Sequence, residues 1–535
     1  MLSKGQLIRE NGFVAASALD WTLAQATLPL SIVLFTMGVS SALFASFQIK
    51  YGIRATLFMS SFLFGGGMIV GSLGIATHQL WLLYLGYGFL SGCALGIAYT
   101  PPLQVLIEWF PDRKGLASGL AIGGFGCGAI VFTPAFQYLS QKFQKLPEYA
   151  GSFESVKTIT QNGRMYLEQA GGLREVVLAN AADLSKFQSN LLEGFYYVGT
   201  GCTGTAAALA TYGTICTAVI LASSLLIKKP SPGYRPVDYI PPSQANKGSQ
   251  NLPGTGNVHV NVVMKTPQYW FLMSSVYCLG TGSLGLFSVA KPMMSEVFGS
   301  SLPTVATATF ASSFVLFLSA GNVIGRILWG LLSDRIGRRA TFVIFTLGSI
   351  PLYLCLPSLV GGVITYSSLA CLYAFVGCSM LAISMNGGAY AILPAYEADL
   401  FGSKYVGPIH GKFLLAASAS SLSGPPLLLY LRMKSELAAI NDLISKITPE
   451  KFKEFFGADM SHANELIEAK TVTINSLMKL VPEGTQNPTP FLYDSTMYSM
   501  AGLMTIAALT HFMVRPVNAK YFEIYKKKDE NLKEK

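Results

Sequence analysis

The chain has 535 residues, of which 51% are hydrophobic and only 12% charged, with 53 glycines and a formal net charge of +10. This is a membrane composition, and it excludes an ordinary soluble domain and a disordered chain. The basic excess also excludes a nucleic-acid interface, because it sits in short loops between long apolar runs.

Residues 1 to 26 carry only one short apolar patch, GFVAASAL. Beyond them, apolar runs able to cross a hydrocarbon core of about 30 Å, roughly 20 helical residues each, follow one another to the end of the chain. They predict eleven spanning helices, at residues 27–47, 55–76, 80–107, 115–139, 204–227, 268–290, 304–331, 340–359, 365–395, 407–431 and 494–514. Their many Gly and Pro residues are tolerated in lipid-embedded helices. The predicted fold is therefore all-α and polytopic. Loops at 48–54, 109–114, 332–339 and 396–412 carry Lys50, Arg54, Arg113, Lys114, Arg335, Arg338, Arg339, Lys404 and Lys412, whereas the short loops between them carry little besides Lys291. The positive-inside rule places the first set in the cytoplasm. An N-terminal bundle at 27–227, a Pro/Gly/Ser/Asn-rich cytoplasmic linker at 228–267, a C-terminal bundle at 268–515 and a basic cytoplasmic tail at 516–535 follow.

Two insertions interrupt this plan, at 140–203 and 432–493, both on the non-cytoplasmic face and far longer than ordinary helix connections. GLREVVLANAADLSKFQSNLLEGF in the first and SELAAINDLISKITPEKFKEFFG in the second have apolar residues three and four apart, which predicts amphipathic helices. They are read as a cap on the outer mouth or a surface for a partner, with expanded loops as the alternative. In a cysteine-free background, cysteines at Ser152 and Ser461 are expected to react with an impermeant thiol reagent outside intact cells, and one at Ser249 is not. Outside labelling at position 249 would overturn the orientation.

The stretches LFASFQIKYGIRATL at 43–57 and LWGLLSDRIGRRATF at 328–342 repeat at an offset of 285. Such an offset implies two structural halves. It places the counterpart of the helix at 268–290 before Met1. The reading is thus a twelve-helix plan whose first helix is absent, with upstream coding sequence expected to supply it.

GRILWGLLSDRIGRR resembles the signature loop of the major facilitator superfamily, and SFQIKYGIRAT resembles its degenerate partner in the first half. GIAYTPPLQVLIEWFPDRKGLASGLAIGGFGCGAIVFTP, KTPQYWFLMSSVYCLGTG and LPAYEADLFGSKY are similar to the oxalate/formate antiporter branch and the neighbouring monocarboxylate transporters. The resemblance implies two pseudo-symmetric helical bundles that alternate access to a central site. It also implies a gating role for Asp334, Arg338 and Arg339, with Asp399 as the acid able to pair with both arginines. Glu108, facing Arg54, is the first-half equivalent. Ile49 stands where the signature has Asp, so the first-half lock is expected to be the weaker.

The polar residues of the spans supply the candidate substrate site. Arg326 is the one charge deep in a predicted helix, and it lies on a stripe with Ser312, Ser319 and Asn322 while Phe317, Leu318, Ile324 and Leu328 fall largely elsewhere. A charge at that depth costs about 2.5 to 3.5 kcal/mol on insertion scales and usually faces a cavity or a partner. Snorkelling or bonding to helix-end carbonyls is the alternative. The related anion carriers place a substrate-binding Arg at this point of the motif. Tyr390 and Asn386 at 365–395, Tyr99 and Gln104 at 80–107, and Tyr277 at 268–290 complete the set, each open to a packing role as well. Tyr390 stands where the branch has an aromatic pocket residue. Asn386 stands where its oxalate carrier has Trp, and Ala416 where that carrier has Lys.

A dicarboxylate held between two cations needs both. The expected activity is therefore secondary transport of small monocarboxylates such as pyruvate, lactate or formate, by anion exchange or proton symport. An oxalate exchanger, or a non-transporting sensor of the same fold, is the alternative; Lys412, one turn from Ala416, favours oxalate only by reaching inward. No nucleotide loop, nucleophile elbow or Cys/His metal spacing occurs, so no enzyme, cofactor or metal is expected. The eight cysteines read as small packing residues, and the five histidines as solvated or packing ones. The expected location is the plasma membrane, or else an organelle membrane.

Overall fold

The computed structural model describes residues 21–523 apart from 22, 153–155, 157–158, 162–163, 170–171, 180–190, 232–233, 235, 237–255, 300–301, 458, 469–471 and 483. The patch at 12–19, most of the linker including Ser249, and the end of the tail lie outside the described residues. Among them, nine helices are long and apolar enough to cross a membrane. Leu23–Leu43 and Asp494–Phe512 stand where the first and last predicted spans do. Helices form here because long apolar stretches in lipid must satisfy every backbone group internally, which the interior prolines do not prevent.

The chain forms two compact units. The first comprises Met1–Val105, Gly124–Pro232 and Gly407–Ser418; the second comprises Leu106–Gly123, Gly233–Val406 and Ala419–Lys535.

The first unit contains α1 (Leu23–Leu43), α2 (Ala45–Ala76), most of α3 (Leu80–Trp109), the later turns of α4 (Lys114–Phe143), and α5 (Thr205–Leu226). Phe64, Met68, Ile75, Leu83, Ala94 and Leu209 form the core where α2, α3 and α5 meet. Gly52 interrupts α2 with φ 82° and ψ 171°. In the second unit Gly337, 285 positions later, has φ 88° and ψ 151°. Both glycines of the repeated motif thus make the same left-handed break, which L side chains rarely adopt.

The insertion at 140–203 has strands at Gly172–Ala179 and Gly194–Tyr197, the two ends of the stretch expected to be an amphipathic helix, while 180–190 between them lie outside the described residues. It builds a five-stranded antiparallel sheet ordered β1-β5-β4-β3-β2, from β1 (Tyr149–Gly151), β2 (Ile159–Gln161), β3 (Arg164–Gln169), β4 (Gly172–Ala179) and β5 (Gly194–Tyr197). Val177 and Tyr196 are buried on one face with Leu191 and Val198; Val176, Phe195 and Tyr197 are buried on the other with Met165 and Leu167. Adjacent apolar residues such as Val176 and Val177 therefore serve opposite faces of a covered sheet, while Phe195 and Tyr197, two apart, share one.

The second unit contains α6 (Pro267–Phe298), α7 (Ala308–Ile336), α8 (Arg338–Tyr366), α9 (Leu369–Phe401), α10 from Ala419 onward (Val406–Ser445 in full) and α11 (Asp494–Phe512). Its core is aromatic, with Phe298, Phe314, Phe342, Phe345, Phe375 and Phe401 fully buried. The insertion at 432–493 is helical, as expected: α10 runs on to Ser445, and Pro449–Phe456, Ala463–Glu468 and Ile474–Leu477 are short helices.

The linker's last residues and the tail's first ones meet at the turn after α9. Val258 donates to the Phe401 carbonyl (2.8 Å), Glu523 N to the Asn257 carbonyl (3.0 Å), and Lys404 N to Asn257 Oδ1 (3.1 Å). Glu523 accepts from Lys404 Nζ (3.2 Å) and the Tyr405 hydroxyl (3.0 Å). Burial alone would raise the Glu523 carboxyl, but these two donors outweigh it and hold it below its ordinary value. Lys404 is held above its ordinary value, first by Tyr405 and then, against desolvation, by Glu523. A lowered carboxyl stabilises the clasp above the ordinary Glu range and fails as pH falls through the folded value; a raised ammonium stabilises it below the ordinary Lys range and fails as pH rises through the folded value. Amide exchange of the 518–523 segment is thus expected to be slowest across neutral pH. Glu523→Gln is expected to speed it up to about fivefold, the scale of a surface ion pair. Unchanged exchange would refute the clasp.

Candidate functional site

Within the second unit, α7 carries Arg326 ten residues before its end at Ile336, about 15 Å along the helix and well inside a hydrocarbon core. Phe317, Ile324 and Leu328 are exposed on the outside of α7, and Leu318 is buried. Arg326 is partly buried, and its Nη1 donates to the Ile122 carbonyl of α4. It is also an electrostatic neighbour of Tyr390. Asn322, one turn earlier, donates to the Ile383 carbonyl at 3.4 Å. The side chain of Ser312 is outside the described residues.

On α9, Asn386 is 4% exposed and its Oδ1 has no hydrogen-bond partner among the described residues. Tyr390 is one turn on, on the same face. Tyr277 of α6 donates to Ser423 Oγ at 3.0 Å. The fold therefore gathers five of the seven substrate-site candidates, Arg326, Asn322, Asn386, Tyr390 and Tyr277, within one unit.

Tyr99 is in the first unit, stacked on His410 (ring centroids 5.9 Å) with Phe125 at its edge. Beside it the candidate Gln104 joins a buried amide network whose other members, Gln48 and Thr100, the sequence did not single out: Thr100 Oγ1 donates to Gln48 Oε1 (2.9 Å), and Gln48 Nε2 to Gln104 Oε1 (2.8 Å). His410 is 1% exposed within α10, and His511 is buried in α11, stacked on Phe342. Both are packing residues.

The signature loop forms an ion-pair cluster within the second unit. Asp334 Oδ1 accepts from Gly115 N and Oδ2 from Leu116 N, both at 2.9 Å, so it caps the start of α4. Backbone N–H groups there have no intrahelical partner and carry partial positive charge. Arg338 pairs with Asp334, bonds Ser333 Oγ (2.6 Å), and lies 3.5 Å from Asp399 Oδ2. Lys114, which the sequence reading took only as a loop charge, is the closer partner of Asp399 at 2.9 Å. Arg339 departs from the expected pairing: its Nη2 meets the Phe512 carbonyl at 3.5 Å. The break at Gly337 turns it away, since α8 begins at Arg338 and adjacent helical residues face different sides. In the first unit, Arg54 Nε donates to the Ile227 carbonyl at 3.1 Å; Glu108 stands in the second unit, near the end of α3.

Two of the close helix approaches, one in each unit, involve residues that the repeat relates. A methyl group at Gly119 of α4 would come within 2.6 Å of the Arg326 carbonyl oxygen; one at Gly411 of α10 would come within 2.6 Å of the Ser41 carbonyl oxygen. Ser41 lies 285 positions before Arg326, and Gly119 lies 292 before Gly411. Ser41 is thus the first-half counterpart of Arg326, and the cation belongs to one half alone.

A Major Facilitator Superfamily model matches residues 11–151 and 192–431. The chain is 24% identical to the oxalate:formate antiporter of Oxalobacter formigenes over 70% of its length and 68% of that protein's. It is 23% identical to apicoplast pyruvate carrier 1 of Toxoplasma gondii over 67% of its length and 61% of that protein's. Among solved structures, the Escherichia coli fucose:proton symporter superposes with a TM-score of 0.52 at 12% identity, covering 92% of this chain and 91% of that one.

Proposed function

Because the chain belongs to the Major Facilitator Superfamily, a family of integral multi-pass membrane transporters, we propose that it carries small monocarboxylates, with Arg326 as the central anion-binding cation. The observation that carries this reading is a guanidinium placed deep in a spanning helix and oriented by the Ile122 carbonyl. An ionisable group at that depth, in a transport fold, is a pathway residue by default. Its planar fork suits a carboxylate held by two parallel hydrogen bonds. Asn386 and Tyr390 of α9 are the proposed neighbours of the bound anion, with Asn322 and Tyr277 as further candidates in the same unit; Tyr99 is kept as a proposed substrate-binding residue of the first unit.

Two relatives named for carriage of oxalate and formate, and of pyruvate, support small carboxylates as the substrate class. Ala416, 1% exposed in α10 and apolar, supports one negative charge over two. Alternating access is the proposed mechanism, with the cluster of Asp334, Arg338, Asp399 and Lys114 as a lock that ion-pair rupture opens. The test is uptake and counterflow of labelled formate, pyruvate, lactate and oxalate in proteoliposomes, with and without a pH gradient. Carriage of the first three above oxalate supports the reading. Oxalate exchange at parity selects the dicarboxylate alternative. Binding without counterflow selects a sensor.

A further inference from the structure

Gly280 lies in α6 within the run LGTGSLG, which carries no charged or amide group. In the fold it faces Tyr390. A methyl group at position 280 would come within 2.3 Å of the Tyr390 hydroxyl oxygen and 2.8 Å of Ser420 Oγ. Contacts below 3.0 Å are essentially never made by a real Cβ, so something would have to move. The Tyr390 hydroxyl therefore lies in a notch floored by glycine backbone and walled by the fully buried Ser420.

The surroundings fix this notch. Tyr277 and Thr281, flanking Gly280, are tied down: the Tyr277 hydroxyl donates to Ser423 Oγ at 3.0 Å, and Thr281 Oγ1 to the Tyr277 carbonyl at 2.8 Å. Ser420 and Ser423 are a turn apart on α10, so α6 and α10 hold the notch from two sides. A tyrosine has two side-chain torsions, so capturing its hydroxyl leaves the ring little freedom. α7 and α9 approach closely where a methyl at Gly387 would meet the Asn322 carbonyl oxygen at 2.3 Å, one turn before Arg326 and Tyr390 on their helices. One turn back along α9 lies Asn386, nine-tenths buried and with Oδ1 unpartnered among the described residues.

We propose that Gly280 is a positioning residue for the anion site: its missing side chain is the socket that holds the Tyr390 ring beside Arg326. The proposal rests on the role given to Tyr390 above. A methyl at 280 evicts the hydroxyl, swings the ring and reshapes the pocket next to the guanidinium, without touching the anion itself. Because the clash is with the hydroxyl oxygen, removing that oxygen relieves it.

The experiment is a double-mutant cycle of Gly280→Ala and Tyr390→Phe, with Tyr390→Ala alongside, in proteoliposomes supplied with labelled formate, pyruvate, lactate or oxalate. Gly280→Ala is expected to raise the half-saturating concentration about tenfold, within the range for forcing one methyl into a close-packed interior, with the maximal rate little changed. Adding Tyr390→Phe is expected to restore the double variant to the level of Tyr390→Phe alone. The same rescue is expected in the melting temperature of the detergent-solubilised protein, which reads the notch without reference to transport. Unaltered half-saturation in Gly280→Ala, or independent additive effects, overturns the proposal. Normal transport by Tyr390→Ala with the melting-temperature rescue intact instead overturns the place of Tyr390 in the site and leaves the notch as packing. Transport of none of the four anions by the unmodified chain sinks the anion reading itself.

Discussion

Arg326→Ala is expected to abolish anion uptake, and Arg326→Lys to lose most of it, while both proteins reach the membrane at normal levels. Hydrogen bonds to charged groups contribute roughly 1.5 to 3 kcal/mol each, so a two-bond carboxylate clamp removed by alanine costs on the order of a hundredfold in binding or more. Lysine retains the charge but supplies a point ammonium in place of a planar fork. It also cannot both reach the Ile122 carbonyl as the Nη1 arm does and present two parallel donors to the anion. Folding is expected to survive, since removing a charge from a spanning helix relieves about 2.5 to 3.5 kcal/mol of insertion cost on translocon scales. The measurement is initial uptake of the four carboxylates, normalised to surface expression. Near-normal uptake by a well-expressed Arg326→Ala protein would sink the central-cation model.

How far the sequence reached follows the physics of each segment. Spanning helices are legible because the bilayer imposes length and composition on them together. The repeat was legible because Gly52 and Gly337 answer one backbone need, and an offset fixed by topology preserves it. The sheet at 149–197 was not legible as strand. In GLREVVLA, Leu173, Val176 and Val177 fit a helical spacing, and a short apolar run cannot be assigned by periodicity alone. The available signal was the Val176-Val177 pair with aromatic GFYY downstream, and Gln169 pairing with Gly172 across the two positions between them. In the site, Arg326 stood out because charge in an apolar run is costly. Gly280, Ser420 and Ser423 did not, since small residues are common in membrane helices for reasons of packing. Lys114 was hidden for a related reason: its partner Asp399 is remote in sequence, and only the fold brings a loop lysine to it.

The second large effect belongs to Asp334. Asp334→Ala is expected to cut the maximal transport rate about tenfold or more while the half-saturating concentration moves little, because a shift of 1.4 kcal/mol in a conformational equilibrium is already a factor of ten. Three groups depend on this carboxylate: Gly115 N and Leu116 N, each at 2.9 Å, and the Arg338 guanidinium. Loss of a helix N-cap costs about 0.5 to 2 kcal/mol. Arg338, with a side chain only 10% exposed, would lose its close partner and keep Asp399 at 3.5 Å, where Lys114 competes at 2.9 Å. Asp334→Asn tests which part matters. It keeps one carbonyl acceptor for the helix start but removes the charge that holds Arg338 and favours the α4 N-terminus. An intermediate rate for asparagine would assign the effect to both, and a rate equal to alanine's would assign it to charge. Arg338→Gln should resemble asparagine at 334, since it removes the same pair from the other side. Arg339→Gln should be nearly silent, because Arg339 meets only a carbonyl at 3.5 Å among the hydrogen bonds described. A full maximal rate for Asp334→Ala, or an effect confined to half-saturation, would remove the cluster from the transport cycle and leave it as a structural cap.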